Sequence, residues 1–307
     1  MRLPRIRCQT GAFPRWSFKM WIHTLPTMTT IALLGTGLLG SAMVENLLTK
    51  GHQVRIWNRT KEKLSPLVQK GAIAAADPAE AVRGAARVHL VLAEDGAVDA
   101  VITAAQKGLG RDVPVIDHST NLPVKVKARF AALRTAGVRY VPAPVFMSPQ
   151  NAREASGLML IAGPKADADA LQHDLAAMTG KLWYVGERSD LAAVYKLAGN
   201  SMFFTLAAGM SDVFAIGAGS DVSAEQMLAL FEVFKPGGAL AFLGQRVAKA
   251  GQGPASFELS MARKDARLMQ ETAGKAPLIV LPAVALAMDR AIARGQGQAD
   301  YAVFTKA

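Results

Sequence analysis

The sequence predicts an α/β chain: a doubly wound, mostly parallel sheet followed by an all-helical domain. Three observations predict it. Short apolar runs of strand type alternate with helix-type segments as far as Gly186. The first run ends in a glycine-rich turn, "GTGLLG", that opens a helix. After Gly186 the strand runs stop and only helical spacing continues.

The elements follow in order. "TIALLGTG" (30–37) is a buried strand ending in glycine, and "LLGSAMVENLLTKG" is a helix that stops at Gly51. "HQVRIWN" is a second strand and "TKEKLSPLVQKG" a short helix. "AAADPAEAVRGA" holds a turn at Asp77–Pro78 and a helix start. "RVHLVLA" is the third strand, with "DGAVDAVITAAQKGLG" as its helix. "VPVIDHST" is the fourth, followed by the helix "LPVKVKARFAALRTAG", and "VRYVPAPVF" reads as one fifth strand. "GLMLIAG" and "KLWYVG" close the pattern around the helix "KADADALQHDLAAMTG".

The tail is helical: a long segment over 189–219, then "SAEQMLALFEVF", "GALAFLGQRVAKAG", "ELSMARKDARLMQETAGKA" and "VLPAVALAMDRAIARG". Ser189 has the character of a helix N-cap, which sets the expected domains at 28–188 and 189–307. "APLIVLPAVALAM", with Pro277 and Pro282, is expected as a buried helix or helix pair. No run is expected to be long and clean enough to span a membrane.

Composition narrows the function classes. Residues 1–27 carry Arg2, Arg5, Arg7, Arg15 and Lys19 and no acid, so of the net +11 the remainder is 11 − 5 = +6. That remainder is spread along the chain, with no basic block and no nucleic-acid module. Cys8, in the same segment, is the only cysteine, which leaves the body without a disulfide framework or thiolate chemistry. Residues 1–27 are expected to be a leader outside the fold, disordered or following an upstream start; an organellar transit peptide is the alternative. The rest is expected to be cytoplasmic. No His/Asp/Glu set has metal-ligand spacing, there is no G-x-S-x-G, and the scattered histidines read as surface or strand residues.

"GTGLLG" supplies Gly35, Gly37 and Gly40 as G-x-G-x-x-G, with Thr36, Leu38 and Leu39 between them. Its place between a strand and a helix gives it meaning: a tight turn, close backbone approach and a helix N-terminus for a pyrophosphate. The second strand ends in Asn58, Arg59 and Thr60, then Lys61. An NAD site usually has an acid there for the ribose 2′-hydroxyl. An arginine fork instead suits a 2′-phosphate, so NADP is expected over NAD, with NAD still admissible.

In the long apolar segment, Lys196 is the sole formal charge between Asp190 and Asp212, and Asn200 follows one helical turn later in "YKLAGN". Two readings stand on spacing alone: a snorkelling lysine with a solvated amide, or a catalytic pair.

"GTGLLGSAMVENLLTKGHQVRIWNRT", "DHSTNLP", "KLAGN" and "ARKDARLM" occur in the order found in a known family. Over about residues 28–305 the chain resembles the β-hydroxyacid dehydrogenases. These include 3-hydroxyisobutyrate dehydrogenase and the glyoxylate/succinic semialdehyde reductases, with a dinucleotide domain of the 6-phosphogluconate dehydrogenase type. The resemblance implies a Rossmann-type domain and an NADP-dependent oxidoreductase acting on a small carboxylate, in at least a dimer (a homodimer or homotetramer). It places Leu92, Ala93 and Thr120 beside the cofactor and Ser119 beside the substrate. Lys196 becomes the general acid/base and Asn200 the substrate-binding amide, while Lys264 reaches the cofactor with Asp265 in support.

The sequence departs from the family pattern at "APVFMSPQNA". The family has Ala-Pro-Val-Ser-Gly-Gly there; here Phe146 and Met147 replace the serine and first glycine. Ser148 is expected to supply the hydroxyl from a shifted position, Pro149 removes a backbone donor, and a bulkier or more apolar substrate pocket is implied. An imine reductase-like enzyme is one alternative, and a non-catalytic NADP-binding module another.

Overall fold

The computed structural model describes residues 29–306; the leader and Cys8 lie outside them. The described residues divide into two compact units, one ending at Ala193 and the other beginning at Val194.

The first unit runs in chain order β1 (Thr30–Leu34), α1 (Leu38–Thr49), β2 (Gln53–Trp57), α2 (Ser65–Val68), β3 (Ile73–Ala74), α3 (Pro78–Val82), β4 (Arg87–Leu90) and α4 (Asp95–Ala105). It continues with β5 (Pro114–Asp117), α5 (Pro123–Thr135), β6 (Arg139–Pro142), β7 (Val145–Phe146), α6 (Pro149–Arg153), β8 (Leu158–Ala162), α7 (Lys165–Ala176) and β9 (Lys181–Gly186). Six strands form one sheet in the order β3-β2-β1-β4-β5-β6, and every pairing in it is parallel. The order reverses beside β1, where Leu34 lies opposite Trp57 of β2 on one side and Leu90 of β4 on the other. A crevice at the carboxyl ends of the strands is expected at such a switch point.

Alternation along β1 builds the core on both faces. Ile31 and Leu33 enter one apolar cluster with Met43 and Leu47 of α1; Ala32 and Leu34 enter the other with Val98 and Ile102 of α4. All four β1 residues are fully buried. Burying a side chain the size of Leu33 contributes about 1.5–3 kcal/mol, which anchors the turn that follows the strand.

One strand expectation is corrected. "VRYVPAPVF" is two strands, because Pro142 and Pro144 have no N–H to donate to a continuous ladder. The chain crosses instead at Ala143 and Pro144. Ala143 N–H donates to Asp117 O in the first sheet (2.8 Å), and Leu160 N–H donates to Pro144 O in a second one (2.9 Å). That second sheet has the order β7-β8-β9, with β7 antiparallel to β8. The structure also adds β3, a two-residue edge strand that the periodicity does not reveal.

The second unit contains most of α8 (Leu191–Ala218), then α9 (Ala224–Val233), α10 (Leu240–Ala248), α11 (Leu259–Ala273) and α12 (Leu281–Ala293). The unit boundary falls inside α8 and not at Ser189, because Ala192 and Ala193 are buried among residues of the first unit. Leu259, Ala262 and Ala266 of α11 pack on Ala285, Met288 and Ala291 of α12. Of the helix or helix pair expected at 276–288, a single helix forms, from Leu281 onward. Its start is capped from α8: Asp212 accepts from the N–H groups of Ile279 (2.6 Å), Val280 (2.9 Å) and Leu281 (2.7 Å). Neither α9 nor α10 contributes a buried residue. Against expectation, α8 is long and apolar enough, by length and composition alone, to cross a membrane. One such helix is weak evidence for a span, and this one has its first turn locked into a sheet core.

Candidate active site

The turn after β1 depends on two glycines. Gly35 has φ +104°, and a Cβ there would lie 2.2 Å from the Val91 carbonyl oxygen. A Cβ on Gly40 would lie 1.9 Å from the Gly35 carbonyl oxygen. Both contacts are sterically prohibited, so the loop folds this tightly only with glycine. A Cβ on Gly37 would meet nothing, so the loop is open on that side. The N-terminus of α1 begins at once, at Leu38, and presents backbone N–H groups and a positive dipole end.

Asn58 ties this loop to the end of β2. Its Oδ1 accepts from Thr36 N–H (3.1 Å) and its Nδ2 donates to Thr60 O (2.9 Å). Gly35 N–H donates to Trp57 O (2.8 Å). A cleft of about 400 Å³ opens beside these residues. Its walls bring together Gly35, Gly37, Asn58, Arg59, Thr60, Leu92 and Ala93, all expected from the sequence, and add Lys63. Lys61 lines a different depression, with Leu64 and Ser65. The signal for Lys63 was its position four residues after Arg59.

Other expected positions are placed differently. Thr36 is buried behind the loop, and its Oγ1 is an orphaned polar atom. Leu38 is 83% exposed at the helix start, whereas Leu39 packs back on the core. Gly40 is buried under the turn, and Thr120 is exposed just beyond β5. Ser119 is buried, and its Oγ accepts from Leu92 N–H (2.9 Å), a brace between two loops.

The loop at 143–157 engages Ser148 within its own helix end. Ser148 is the N-cap of α6 in a capping box: its Oγ accepts from Asn151 N–H (3.2 Å) and donates to Asn151 Oδ1 (2.8 Å). The hydroxyl's donor and one of its acceptor sites are thus used inside the helix end. Phe146 packs on Leu160, Ala162 and Ala192, and Met147 packs on the main core.

Sequence reasoning also missed a buried polar chain. Arg87 Nη1 donates to Asp174 (3.0 Å), and its Nε donates to His89 Nε2 (3.2 Å). His89 Nδ1 lies 2.9 Å from His118 Nε2, and His118 Nδ1 lies 2.7 Å from Ala143 O. With Arg87 donating, the consistent assignment has both rings neutral and each Nδ1–H donating onward. The rings stack, with centroids 5.2 Å apart. Burial holds His118 down to about 4 and His89 well below the ordinary value, the latter helped by the charges around it.

In the helical unit, Lys196 is half-buried and its ammonium donates to Asn200 Oδ1 at 3.0 Å. Desolvation lowers its pKa. Lys264 lies on α11, 2.7 Å from Asp265. Among the described residues no three His, Cys, Asp or Glu side chains gather as metal ligands.

Residues 30–186 match the family described as the NAD binding domain of 6-phosphogluconate dehydrogenase. The chain belongs to this family. An uncharacterized oxidoreductase of Bacillus subtilis, YfjR, is 28% identical over 283 residues, covering 90% of this chain and 98% of that one. The 3-sulfolactaldehyde reductase of Escherichia coli is 33% identical over 162 residues. That match covers 52% of this chain and about half (54%) of the reductase. Among solved structures, the imine reductase of Myxococcus stipitatus in complex with NADP+ superimposes with a TM-score of 0.80 at 20% identity. It covers 90% of this chain and 99% of that one, a likeness of fold.

The protein is therefore an oxidoreductase of the β-hydroxyacid dehydrogenase group that uses a nicotinamide dinucleotide. The cleft fits that cofactor on the chain's own terms. Two glycines admit a close backbone turn, Gly37 leaves its face open, and Arg59 and Lys63 are among the residues that line the cleft.

Proposed function

We propose that the protein is an NADP-dependent reductase or dehydrogenase acting on a hydroxy acid or semialdehyde. The observation that carries this reading is the Lys196–Asn200 pair, a half-buried ammonium with a lowered pKa held by an amide one helical turn away. Bound NADPH supplies the hydride. On reduction Lys196 Nζ gives a proton to the carbonyl oxygen, and on oxidation it takes that proton back; Asn200 orients the oxygen. The open turn at Gly37 and the α1 N-terminus receive the pyrophosphate. Arg59, Thr60 and Lys63 supply donors to a 2′-phosphate, which favours NADP over NAD. By the family resemblance Leu92, Ala93 and Thr120 would hold the nicotinamide end of the cofactor, and Lys264 would contribute a further cation to it. An aldehyde substrate is taken over from the Escherichia coli relative, by its name a 3-sulfolactaldehyde reductase.

An imine substrate is the second reading. The Ser148 hydroxyl is committed to the α6 cap and Pro149 has no N–H, so this segment offers few donors to a substrate carboxylate. A panel of semialdehydes, 2-oxo acids and cyclic imines, followed by NADPH absorbance, tests both. Turnover of semialdehydes or 2-oxo acids supports the first reading, and turnover of imines alone replaces it. Tight NADPH binding with no turnover would leave a binding module. The exposed apolar residues of α8, α9 and α10, among them Phe203, Val233 and Phe242, support association through the helical unit as a homodimer or homotetramer.

A further inference from the structure

A closed ring of hydrogen bonds joins the loops that follow β4 and β5. Asp95, the first residue of α4, accepts at Oδ1 from Arg129 Nη2 (2.8 Å) and at its backbone carbonyl from the same nitrogen (3.2 Å). Arg129 Nη1 donates to the Tyr140 hydroxyl (3.3 Å), which donates to Asp117 Oδ2 (2.7 Å). Asp117 Oδ1 accepts from Ser119 N–H (2.9 Å), and Ser119 Oγ accepts from Leu92 N–H (2.9 Å). The backbone from Leu92 to Asp95 closes the ring. A strut crosses it: Asp95 Oδ2 accepts from Leu122 N–H (3.0 Å).

Asp117, Arg129, Tyr140 and Ser119 are all buried. Burying a carboxylate and a guanidinium costs several kcal/mol in desolvation, and apolar packing of equal volume is often at least as stabilising. What such a ring provides is fixed geometry, because each member has one set of partners that satisfies it. The fixed geometry lies at the cleft. Leu92 and Ala93 line it, the Leu92 side chain and Val91 carbonyl crowd Gly35, and Thr120 is the exposed residue between buried Ser119 and Asn121.

We propose that Arg129, Tyr140 and Asp117 are positioning residues for the nicotinamide half of the cofactor. They act through the loops: the hydrogen-bond ring sets the separation of Leu92–Ala93 from Ser119–Thr120, the two segments that would receive the nicotinamide. The inference rests on the reading that Leu92 and Thr120 flank the nicotinamide.

The test compares two ligands on the full-length protein by calorimetric titration: NADPH, and 2′-phospho-ADP-ribose, which lacks the nicotinamide. Tyr140→Phe should weaken NADPH about tenfold while leaving 2′-phospho-ADP-ribose within about twofold. Arg129→Lys keeps the charge but cannot reach Asp95 and Tyr140 together, and should show the same split. Equal weakening of both ligands, or of neither, in the folded variants would mean that the ring only stabilises the domain and would overturn the proposal. Wild-type protein that binds neither ligand would overturn the cofactor reading of the cleft, and the proposal with it.

Discussion

Lys196 donates to Asn200 Oδ1 across 3.0 Å, one turn apart on a helix with no other charge between Asp190 and Asp212. The amide orients the ammonium, and loss of water lowers the lysine pKa from its ordinary value. A proton held this way is easier to give up than that of a surface lysine, as a general acid requires.

Lys196→Met should lower kcat by about 10²- to 10⁴-fold and leave NADPH affinity unchanged. Steady-state rates and a fluorescence titration measure the two quantities. Carbonyl reduction needs the ammonium, so its rate should fall as pH rises through the lowered pKa, and alcohol oxidation should rise over the same range. Turnover near the wild-type level in the variant would remove Lys196 from the mechanism.

Arg59→Ala and Lys63→Ala should each weaken NADPH by roughly 10- to 100-fold, with NADH changed little. Titration of both cofactors against both variants decides this. An unchanged preference would show that the 2′-phosphate is not read at this end of the cleft.

Asp212→Ala should destabilise the protein by about 2–3 kcal/mol, because three backbone N–H groups at the start of α12 lose their acceptor. Burial pushes the Asp212 carboxyl up, but the three donors outweigh it and hold its pKa below the ordinary value. Its stabilisation is therefore present above the ordinary carboxylate pKa and is lost as pH falls through the folded one. Urea unfolding of variant and wild type at neutral pH gives the difference directly.

His89 and His118 make a prediction about mild acid. Both are held neutral in the fold, chiefly by burial, and both take up protons near pH 6.5 once unfolded. Their contribution is full above about pH 6.5. For His118 it is lost as pH falls from there to about 4, with a slope approaching ~1.4 kcal/mol per pH unit, and for His89, held well below the ordinary value, it is lost in the same direction. His118→Gln should flatten that slope in urea unfolding measured across this interval. An unchanged slope would mean that other groups carry the acid sensitivity.

The sequence was most legible where a physical rule acts locally. Alternation in "TIALL", the glycines of "GTGLLG" and the helical tail each follow from near neighbours in the chain. What stayed hidden depends on contacts across the fold. His89 and His118 sit on neighbouring strands, and neither strand alone shows that the rings meet. Asp212 caps a helix 69 residues further along the chain. Ser148 was the opposite case: the S-x-x-N spacing to Asn151 was in plain view, and the family comparison drew attention to the hydroxyl instead. The break at Pro142 and Pro144 was equally visible, but an apolar run suggests a strand even where two residues cannot donate.

Asn58 has a consequence for how such enzymes change cofactor. Its two amide atoms bond in opposite senses, to the Thr36 N–H and to the Thr60 carbonyl. An aspartate at 58, of the kind that holds a free ribose hydroxyl, would keep the first bond and set a negative charge against the Thr60 carbonyl oxygen. On the NADP reading proposed above, cofactor choice and loop shape would be inherited through one side chain. A lineage, or an engineer, exchanging one nicotinamide for the other must rebuild the 58–60 turn in the same move.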